Sequence, residues 1–164
     1  MPWSVICSIL SSTSKKGDKV ISTPNHPNWI TFLRHLSKNN DYPRVISYIN
    51  IHLSHLYSSL CKDIFNYRDI YCFSFFNNND IFFIINIYSD DNQSALKYLK
   101  GTEAKITNVL IITGDFNIRD SDWNNFYSFY SVHSNTLLEI ADSFNLSLSS
   151  PVHCYKLKTL ELVK

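Results

Sequence analysis

The segment Asn108-Val-Leu-Ile-Ile-Thr-Gly-Asp-Phe-Asn117 decides the fold of this chain. Its apolar, β-branched run at residues 109–112 predicts a short buried strand. Gly114 then allows a sharp turn, and Asp115 and Asn117 follow it with a carboxylate and an amide. Ligands bind at the carboxyl ends of parallel strands in α/β sheets. At such an end a carboxylate can orient or deprotonate water, and an amide can hydrogen-bond a phosphate oxygen.

The same Asp-x-Asn pattern is also typical of a plain turn, in which the Asp side chain bonds its own backbone. Both interpretations stay open for Asp115 and Asn117. A calcium-binding loop is excluded, because Asp120 stands where that loop requires Gly and Phe126 where it requires Glu.

Upstream, the sequence predicts a hairpin that leads into this strand. Residues 69–76 and 81–88 are rich in β-branched and aromatic residues, and the turn-forming tetrad Asn77-Asn-Asn-Asp80 separates them. The second strand is apolar on both faces, which indicates a central position in a sheet covered on both sides. Residues 93–105 predict a helix. A strand, a helix and a strand in succession predict a parallel βαβ unit.

The flanking segments give weaker patterns. Residues 44–51 predict a strand, and residues 134–144 predict a helix in which Thr136 and Glu139 have capping-box spacing. Leu146 and Leu148 indicate the start of a further strand, whereas residues 29–36 indicate one or two helical turns. We expect residues 1–28 to be irregular and residues 154–164 to fit no regular element.

Composition bounds the class of protein. With 164 residues, 45% hydrophobic and 15% aromatic, the chain suits one globular α/β or α+β domain. A formal net charge of +1 provides no basic field of the kind that marks a stand-alone nucleic-acid-binding module. Three glycines exclude a P-loop and a dinucleotide-binding loop. The four scattered cysteines indicate free thiols, and the apolar run at 81–88 is too short to span a bilayer.

Two further groups of polar residues could have a function. His52 and His55 are three residues apart and could share a helix face, but no third metal ligand is evident, so solvated or packed histidines are favoured. Asp90 and Asp91 form an acidic pair, which we expect to precede or cap the helix at residue 93.

Several motifs together resemble one family. The segment at 108–117 is similar to the signature of the endonuclease/exonuclease/phosphatase superfamily, which includes the LINE-type retrotransposon endonucleases. The sequence Asn86-Ile-Tyr-Ser-Asp90 places Tyr88 where that family carries its active-site Tyr. Residues 26–29, 44–50 and 131–146 also look like retrotransposon-derived copies, so that the resemblance covers residues 24–151.

The resemblance implies an α/β fold that is a partial four-layer α/β/β/α sandwich, truncated at both ends. An irregular segment would occupy residues 1–23, the partial domain residues 24–153 and a divergent tail residues 154–164. It also implies a Mg²⁺-dependent phosphodiesterase that nicks DNA inside the nucleus, from an element that encodes a reverse transcriptase domain. In that scheme Asp115 positions and deprotonates the attacking water. Asn117 contacts the phosphate, and Tyr88 bonds a phosphate oxygen or helps to organise the acidic site.

The chain departs from the family pattern at two places. The family's main metal ligand is a Glu on an early strand, but the Glu residues of this chain are Glu103, Glu139 and Glu161. The family's closing Asp-His pair has no counterpart after Asp142. We therefore expect a fragment that is inactive as it stands, with unknown metal ligands.

Two alternatives to an inactive nuclease fragment stay open. One is a working hydrolase that holds its metal ion with Asp90, Asp91 or Asp120. The other is a non-catalytic module in which the remaining cleft binds nucleic acid or another protein. A nicking assay with Asp115→Ala as control separates the first alternative from an inactive fragment, and salt-dependent DNA binding tests the second.

Overall fold

The computed structural model describes residues 6–9, 27–33, 45–56, 59–61, 63–77, 80–102, 106–118, 132–149 and 160–163. In chain order the strands are β1 (Ile6–Ile9), β2 (Trp29–Leu33), β3 (Ile46–Asn50), β4 (Ser59–Leu60), β5 (Ile70–Asn77), β6 (Asp80–Tyr88), β7 (Val109–Asp115), β8 (Ser147–Ser149) and β9 (Leu160–Val163). The helices are a 3₁₀-helix at Ile51–Leu56, α1 (Ser94–Lys100) and α2 (Val132–Ser143).

A six-stranded mixed sheet contains the decisive segment. Its strand order is β4-β5-β6-β7-β9-β8. β5 and β6 form the predicted antiparallel hairpin. The pairing runs from Ile70 with Ile87 at one end to Asn77 with Asp80 at the other. β6 and β7 are parallel, with α1 between them in the chain, so the predicted βαβ unit is confirmed. The predicted central position of β6 is confirmed as well, because β5 and β7 flank it.

A second, three-stranded sheet has the order β1-β3-β2 and is antiparallel throughout. Its central strand β3 confirms the strand predicted at residues 44–51. The helical turns predicted at residues 29–36 are wrong, because Trp29–Leu33 is strand β2. Its aromatic and β-branched residues favour extended backbone, and β3 supplies the hydrogen-bonding edge that a short helix would lack.

Strands near both ends of the chain extend the sheets. Residues 6–9 form β1, although the sequence predicts an irregular segment there. Residues 160–163 form β9 between β7 and β8, although the tail was expected to fit no element. Both strands are four residues long and depend on partners far away in the chain, so their own sequence gives a weak signal. The predicted domain limits at residues 24 and 153 stay predictions.

The described residues form three layers: a helical layer, the six-stranded sheet and the three-stranded sheet. One face of the larger sheet packs against α1 and α2, with Ile85, Leu96 and Leu137 fully buried between them. The other face packs against the three-stranded sheet, where Phe73 meets Phe32 edge to face at 5.1 Å. This arrangement confirms the α/β class. The second helical layer of the predicted four-layer sandwich is not among the described residues.

The two predicted helices are confirmed with shifted ends. α1 ends at Lys100, before Gly101, instead of at residue 105. α2 begins at Val132, which places Thr136 inside the helix, so the predicted capping box is wrong. The strand indicated by Leu146 and Leu148 is confirmed as β8. None of the described helices is long and apolar enough to cross a membrane.

Candidate active site

The carboxyl ends of β6 and β7 lie side by side. Tyr88 is the last residue of β6, Asp115 is the last residue of β7, and the two are direct register partners. Paired residues of neighbouring parallel strands project from the same face at a spacing of about 4.8 Å. Both side chains are half-buried. The parallel βαβ unit thus brings Tyr88 and Asp115 to the same edge of one sheet, whereas their chemical roles stay predictions.

Gly114 allows the two strands to close at this edge. It is the register partner of Ile87 and has a φ of 143°, a conformation that side chains rarely adopt. A Cβ atom at this position would lie 1.8 Å from the carbonyl oxygen of Ile87. No residue other than glycine fits, because that separation is far below a van der Waals contact. The absence of a side chain at Gly114 thus allows the ends of β6 and β7 to approach each other closely.

The turn after β7 orients the Asp115 carboxylate. The backbone N–H of Asn117 donates to Oδ1 of Asp115 at 3.0 Å, and Asn117 has a left-handed φ of 49°. This contact forms the plain turn that was one of the two interpretations of Asp115 and Asn117, in which the Asp side chain bonds the backbone of its own turn. It does not compete with a role in catalysis, because a carboxylate has about four lone-pair sites and this bond occupies one.

Asn117 also ties the two strand-end loops together. Its Nδ2 donates to the carbonyl oxygen of Ser89 at 2.6 Å, and the N–H of Ser89 donates to the carbonyl oxygen of Asp115 at 2.8 Å. The amide nitrogen of Asn117 carries a second hydrogen. Because the Asn117 residue is exposed, that hydrogen can reach a ligand at the strand ends.

A buried pair of side chains packs beneath this loop and supports it, a role that no local motif predicted. Oγ of Ser89 donates to Oε1 of Gln93 at 2.9 Å, and Nε2 of Gln93 donates to the carbonyl oxygen of Phe116 at 3.1 Å. Ser89 and Gln93 are 0% and 1% exposed. The available signal was a Ser and a Gln four residues apart, between an apolar strand and an apolar helix. Together these bonds connect β6, α1 and the residue between Asp115 and Asn117.

Two further carboxylates lie near the strand ends. Oδ1 of Asp90 accepts the N–H of Ser94 at 3.1 Å, which confirms the expected capping role at the start of α1. Asp69, which no sequence motif marked, is fully buried, and its carbonyl oxygen accepts the N–H of Tyr88 at 2.9 Å. Its carboxylate lies 3.3 Å from Nε of Arg68. Both carboxylates therefore have structural partners.

The donor atoms of the described residues do not form a dedicated metal site. Among the described residues, no group of three His, Cys, Asp or Glu side chains could hold a metal ion. Glu139 pairs with Lys100 on the helical layer, and His52 is exposed in the 3₁₀-helix. Glu103 and Asp120 lie outside the described residues, as do the side chains of His55 and Glu161.

A polar contact joins the two sheets beneath the strand ends. Asn86 and Thr113 are register partners two residues before Tyr88 and Asp115, so they lie on the same face one step deeper. Both are buried. Nδ2 of Asn86 donates to Oγ of Ser47 on β3 at 2.8 Å, while Oδ1 of Asn86 is buried with no hydrogen-bond partner among the described residues.

Comparisons with known proteins support the fold. No protein-family model and no curated protein matches the sequence. Among solved structures, the chain is similar to the endonuclease domain of TRAS1, a telomere-specific non-LTR retrotransposon, with a TM-score of 0.62 and 12% identity. The match covers 84% of this chain and 66% of that domain, so the chain spans slightly less than two thirds of its length. The fold is that of a LINE-type retrotransposon endonuclease domain, as the sequence resemblance implies.

Proposed function

We propose that this chain, which shares the fold of a retrotransposon endonuclease domain, is a fragment of a DNA phosphodiesterase. The ends of β6 and β7 would bind one phosphodiester group of the DNA backbone. The observation that carries this proposal is the register pairing of Tyr88 with Asp115, with Asn117 bonded to both strand-end loops. Three polar side chains thus converge on one sheet edge, at the position where α/β sheets bind ligands.

Each of the three side chains has a defined task in this proposal. In an active phosphodiesterase of this type, the carboxylate of Asp115, oriented by the Asn117 N–H, would accept a proton from the water that attacks phosphorus. The second Nδ2 hydrogen of Asn117 and the hydroxyl of Tyr88 donate to non-bridging phosphate oxygens. As the new P–O bond forms, the bond to the leaving sugar oxygen breaks. Charge increases on the phosphate oxygens in the transition state, and the leaving oxygen needs a proton.

Two of these requirements, a cation and a proton donor for the leaving oxygen, have no group assigned among the described residues. Mg²⁺ is the cation that the sequence resemblance implies, but the described carboxylates do not form a cluster for it. No Asp-His pair follows Asp142 to assist the leaving oxygen. Removing one well-placed electrostatic group costs about 10²–10³ in rate. We therefore propose that this chain binds DNA without nicking it at a detectable rate, with or without Mg²⁺.

A plasmid-nicking assay on the full chain, with and without Mg²⁺, tests the catalytic part of the proposal. No conversion of supercoiled to nicked DNA is expected. Nicking that is lost in Asp115→Ala would contradict the proposed inactivity and support the hydrolase alternative with other metal ligands. Nicking that persists in Asp115→Ala would instead place the catalytic residue elsewhere and contradict the proposed site.

A fluorescence measurement of DNA binding tests the phosphate site directly. The affinity for a short duplex should fall with rising salt, because contacts to phosphate release counterions. Asn117→Ala should weaken binding and Asn145→Ala should not. Asn145 is a matched control: it is also exposed with a positive φ of 55°, but it lies after α2, away from the strand ends. Equal affinity of both variants and of the unmodified chain would exclude Asn117 from the phosphate contact.

The biological setting of the proposal follows from the same resemblance. A retrotransposon endonuclease would act in the nucleus, and a reverse transcriptase domain would belong to the same element. The reading frame that surrounds this chain in its genome tests this point. A reverse transcriptase sequence beside it would support the proposed origin, and an unrelated open reading frame on both sides would contradict it.

A further inference from the structure

Two cysteines lie directly opposite each other at the edge of the six-stranded sheet. β4 pairs with β5 in the register Ser59 to Ser74 and Leu60 to Phe73. One residue further along, the N–H of Cys61 donates to the carbonyl oxygen of Cys72 at 2.8 Å. Cys61 and Cys72 therefore stand opposite each other at the next position of the same antiparallel register, joined by this backbone hydrogen bond.

The neighbouring serine pair shows how close such side chains come. Ser59 and Ser74 occupy the same kind of ladder position, two residues away and on the same face. Their Oγ atoms lie 2.7 Å apart. Opposite residues of this kind have Cα atoms about 5.5 Å apart, which lies inside the range of about 4.4–6.8 Å that disulfides span. This sheet edge thus brings the γ atoms of Ser59 and Ser74 to hydrogen-bonding distance, and Cys61 and Cys72 stand opposite each other two residues away on the same face.

The two thiols differ in their access to solvent. Cys61 is partly exposed and packs against the core between the six-stranded sheet and the two α-helices. Cys72 is 1% exposed and belongs to that core. Burial, followed by the charge of the Cys61 thiolate and a hydrogen bond with Cys61, raises the pKa of Cys72 far above its usual range. A solvent oxidant therefore meets Cys61 first, while Cys72 stays a protonated thiol behind it.

We propose that Cys61 and Cys72 form a redox modification site, at which hydrogen peroxide oxidises Cys61 and Cys72 then closes an intrachain disulfide. In the first step the Cys61 thiol loses its proton and the thiolate attacks peroxide. The O–O bond breaks, a sulfenic acid forms, and the departing hydroxide takes up the proton from the thiol and leaves as water. In the second step Cys72 loses its proton and its sulfur attacks the Cys61 sulfur, so that the S–O bond breaks and a second water leaves. In total, two thiols give up two electrons and two protons to one peroxide.

The resulting bond should be easily reversed. A disulfide prefers Cβ atoms about 3.8 Å apart, but residues at a hydrogen-bonded ladder position hold them further apart. Strained disulfides have more oxidising potentials and belong to the labile or regulatory class. The second step should be slower than the first, because the buried Cys72 must lose its proton during the attack. Raising the pH should therefore accelerate closure of the disulfide.

The test uses the full chain with Cys7→Ser and Cys154→Ser, which leaves Cys61 and Cys72 as the two thiols. After treatment with hydrogen peroxide at low protein concentration, non-reducing peptide mapping should show the two cysteines joined, with a mass lower by two hydrogen atoms. Dithiothreitol should restore both thiols. Two results would overturn the proposal: oxidation of Cys61 to a sulfinic acid, and a disulfide between two chains. In either case Cys72 would still react with an alkylating agent after the chain is unfolded.

Two single variants identify the order of the steps. With Cys72→Ala, the reaction should stop at the Cys61 sulfenic acid, which dimedone traps. With Cys61→Ala, Cys72 should stay unmodified at the same dose of peroxide, and its oxidation would contradict the assigned order. If a variant does not fold, the order of the steps is tested in the chain that keeps Cys61 and Cys72. The rate of disulfide formation in that chain is then measured from neutral to alkaline pH. A rate that does not rise with pH would contradict Cys72 as the second, buried thiol.

Discussion

Gly114 faces the carbonyl group of Ile87 so closely that a Cβ atom on Gly114 would lie 1.8 Å from the carbonyl oxygen. We therefore predict that Gly114→Ala lowers the free energy of unfolding by at least about 1–3 kcal/mol, which is the cost of one strained backbone position. The overlap between the new Cβ atom and the carbonyl oxygen should add to this loss. Urea denaturation followed by circular dichroism measures this loss.

Gly101→Ala is the matched control for that substitution. Gly101 has a φ of −73°, and a Cβ atom there would approach nothing closer than 3.6 Å. Ala should be neutral at this position or stabilise the chain by about 0.4–1 kcal/mol, because it restricts the unfolded chain. Equal effects of the two substitutions would show that the close approach of β6 and β7 does not limit stability.

Ser89 and Gln93 should contribute to stability and to the geometry of the Asp115 loop. Ser89→Ala leaves Oε1 of the buried Gln93 without its donor, which should cost about 1–3 kcal/mol. The control is Ser94→Ala, because Ser94 contributes its backbone N–H to the contact with Asp90 and Ala is well tolerated in a first helical turn. Thermal unfolding of both variants gives the comparison. A Ser94→Ala effect as large as that of Ser89→Ala would contradict the assigned support.

The contact between Ser47 and Asn86 allows a sharper experiment, because one substitution can compensate for the other. Ser47→Ala removes the acceptor of a buried Nδ2 group and should cost about 1–3 kcal/mol. Adding Asn86→Leu removes the unpaired amide, including Oδ1, which has no partner among the described residues, and should recover most of that loss. Urea denaturation of the single and double variants measures the recovery. Additive losses would show that the amide has a partner that the two substitutions do not address.

Cys72 should make the stability of the chain fall at alkaline pH. Burial raises the pKa of the Cys72 thiol, so the folded chain keeps a proton that the unfolded chain releases above about pH 8.5. This contribution is complete below that pH and decreases above it by up to about 1.4 kcal/mol per pH unit. Denaturation in a reducing agent between neutral and alkaline pH should show a shallower decrease for Cys72→Ala than for the unmodified chain. Cys61→Ser should retain most of the decrease, because burial is the largest cause of the shift.

The part of the fold that could be predicted from the sequence is the part held together locally. The hairpin of β5 and β6, helix α1 and strand β7 follow one another, and the apolar pattern of each is complete within its own residues. β2 and β9 could not be predicted, because each is short and gains its backbone hydrogen bonds from a strand elsewhere in the chain. Their sequences alone do not distinguish a strand from a helical turn or a loop.

The candidate site divides in the same way. Asp115 and Asn117 stand in a compact motif, and the βαβ pattern is sufficient to place Tyr88 beside Asp115. The bond from Gln93 to the Phe116 carbonyl spans 23 residues, and the bond from Asn86 to Ser47 spans 39. Such contacts depend on how two layers or loops are positioned, which no local spacing specifies. The side chains that support the strand ends were therefore missed, while the placement of Tyr88 beside Asp115 could be predicted.

The position of β9 between β7 and β8 has a consequence during synthesis. Within the described sheet β8 pairs only with β9, so residues 147–149 leave the ribosome before the strand that holds them exists. At about 5–20 residues per second, residues 160–163 follow after a delay on the order of one second. Throughout that delay the edge of β7 that β9 will cover is open to any extended segment nearby. A neighbouring nascent chain or a chaperone can occupy this edge first, so β9 must compete for its place beside β7.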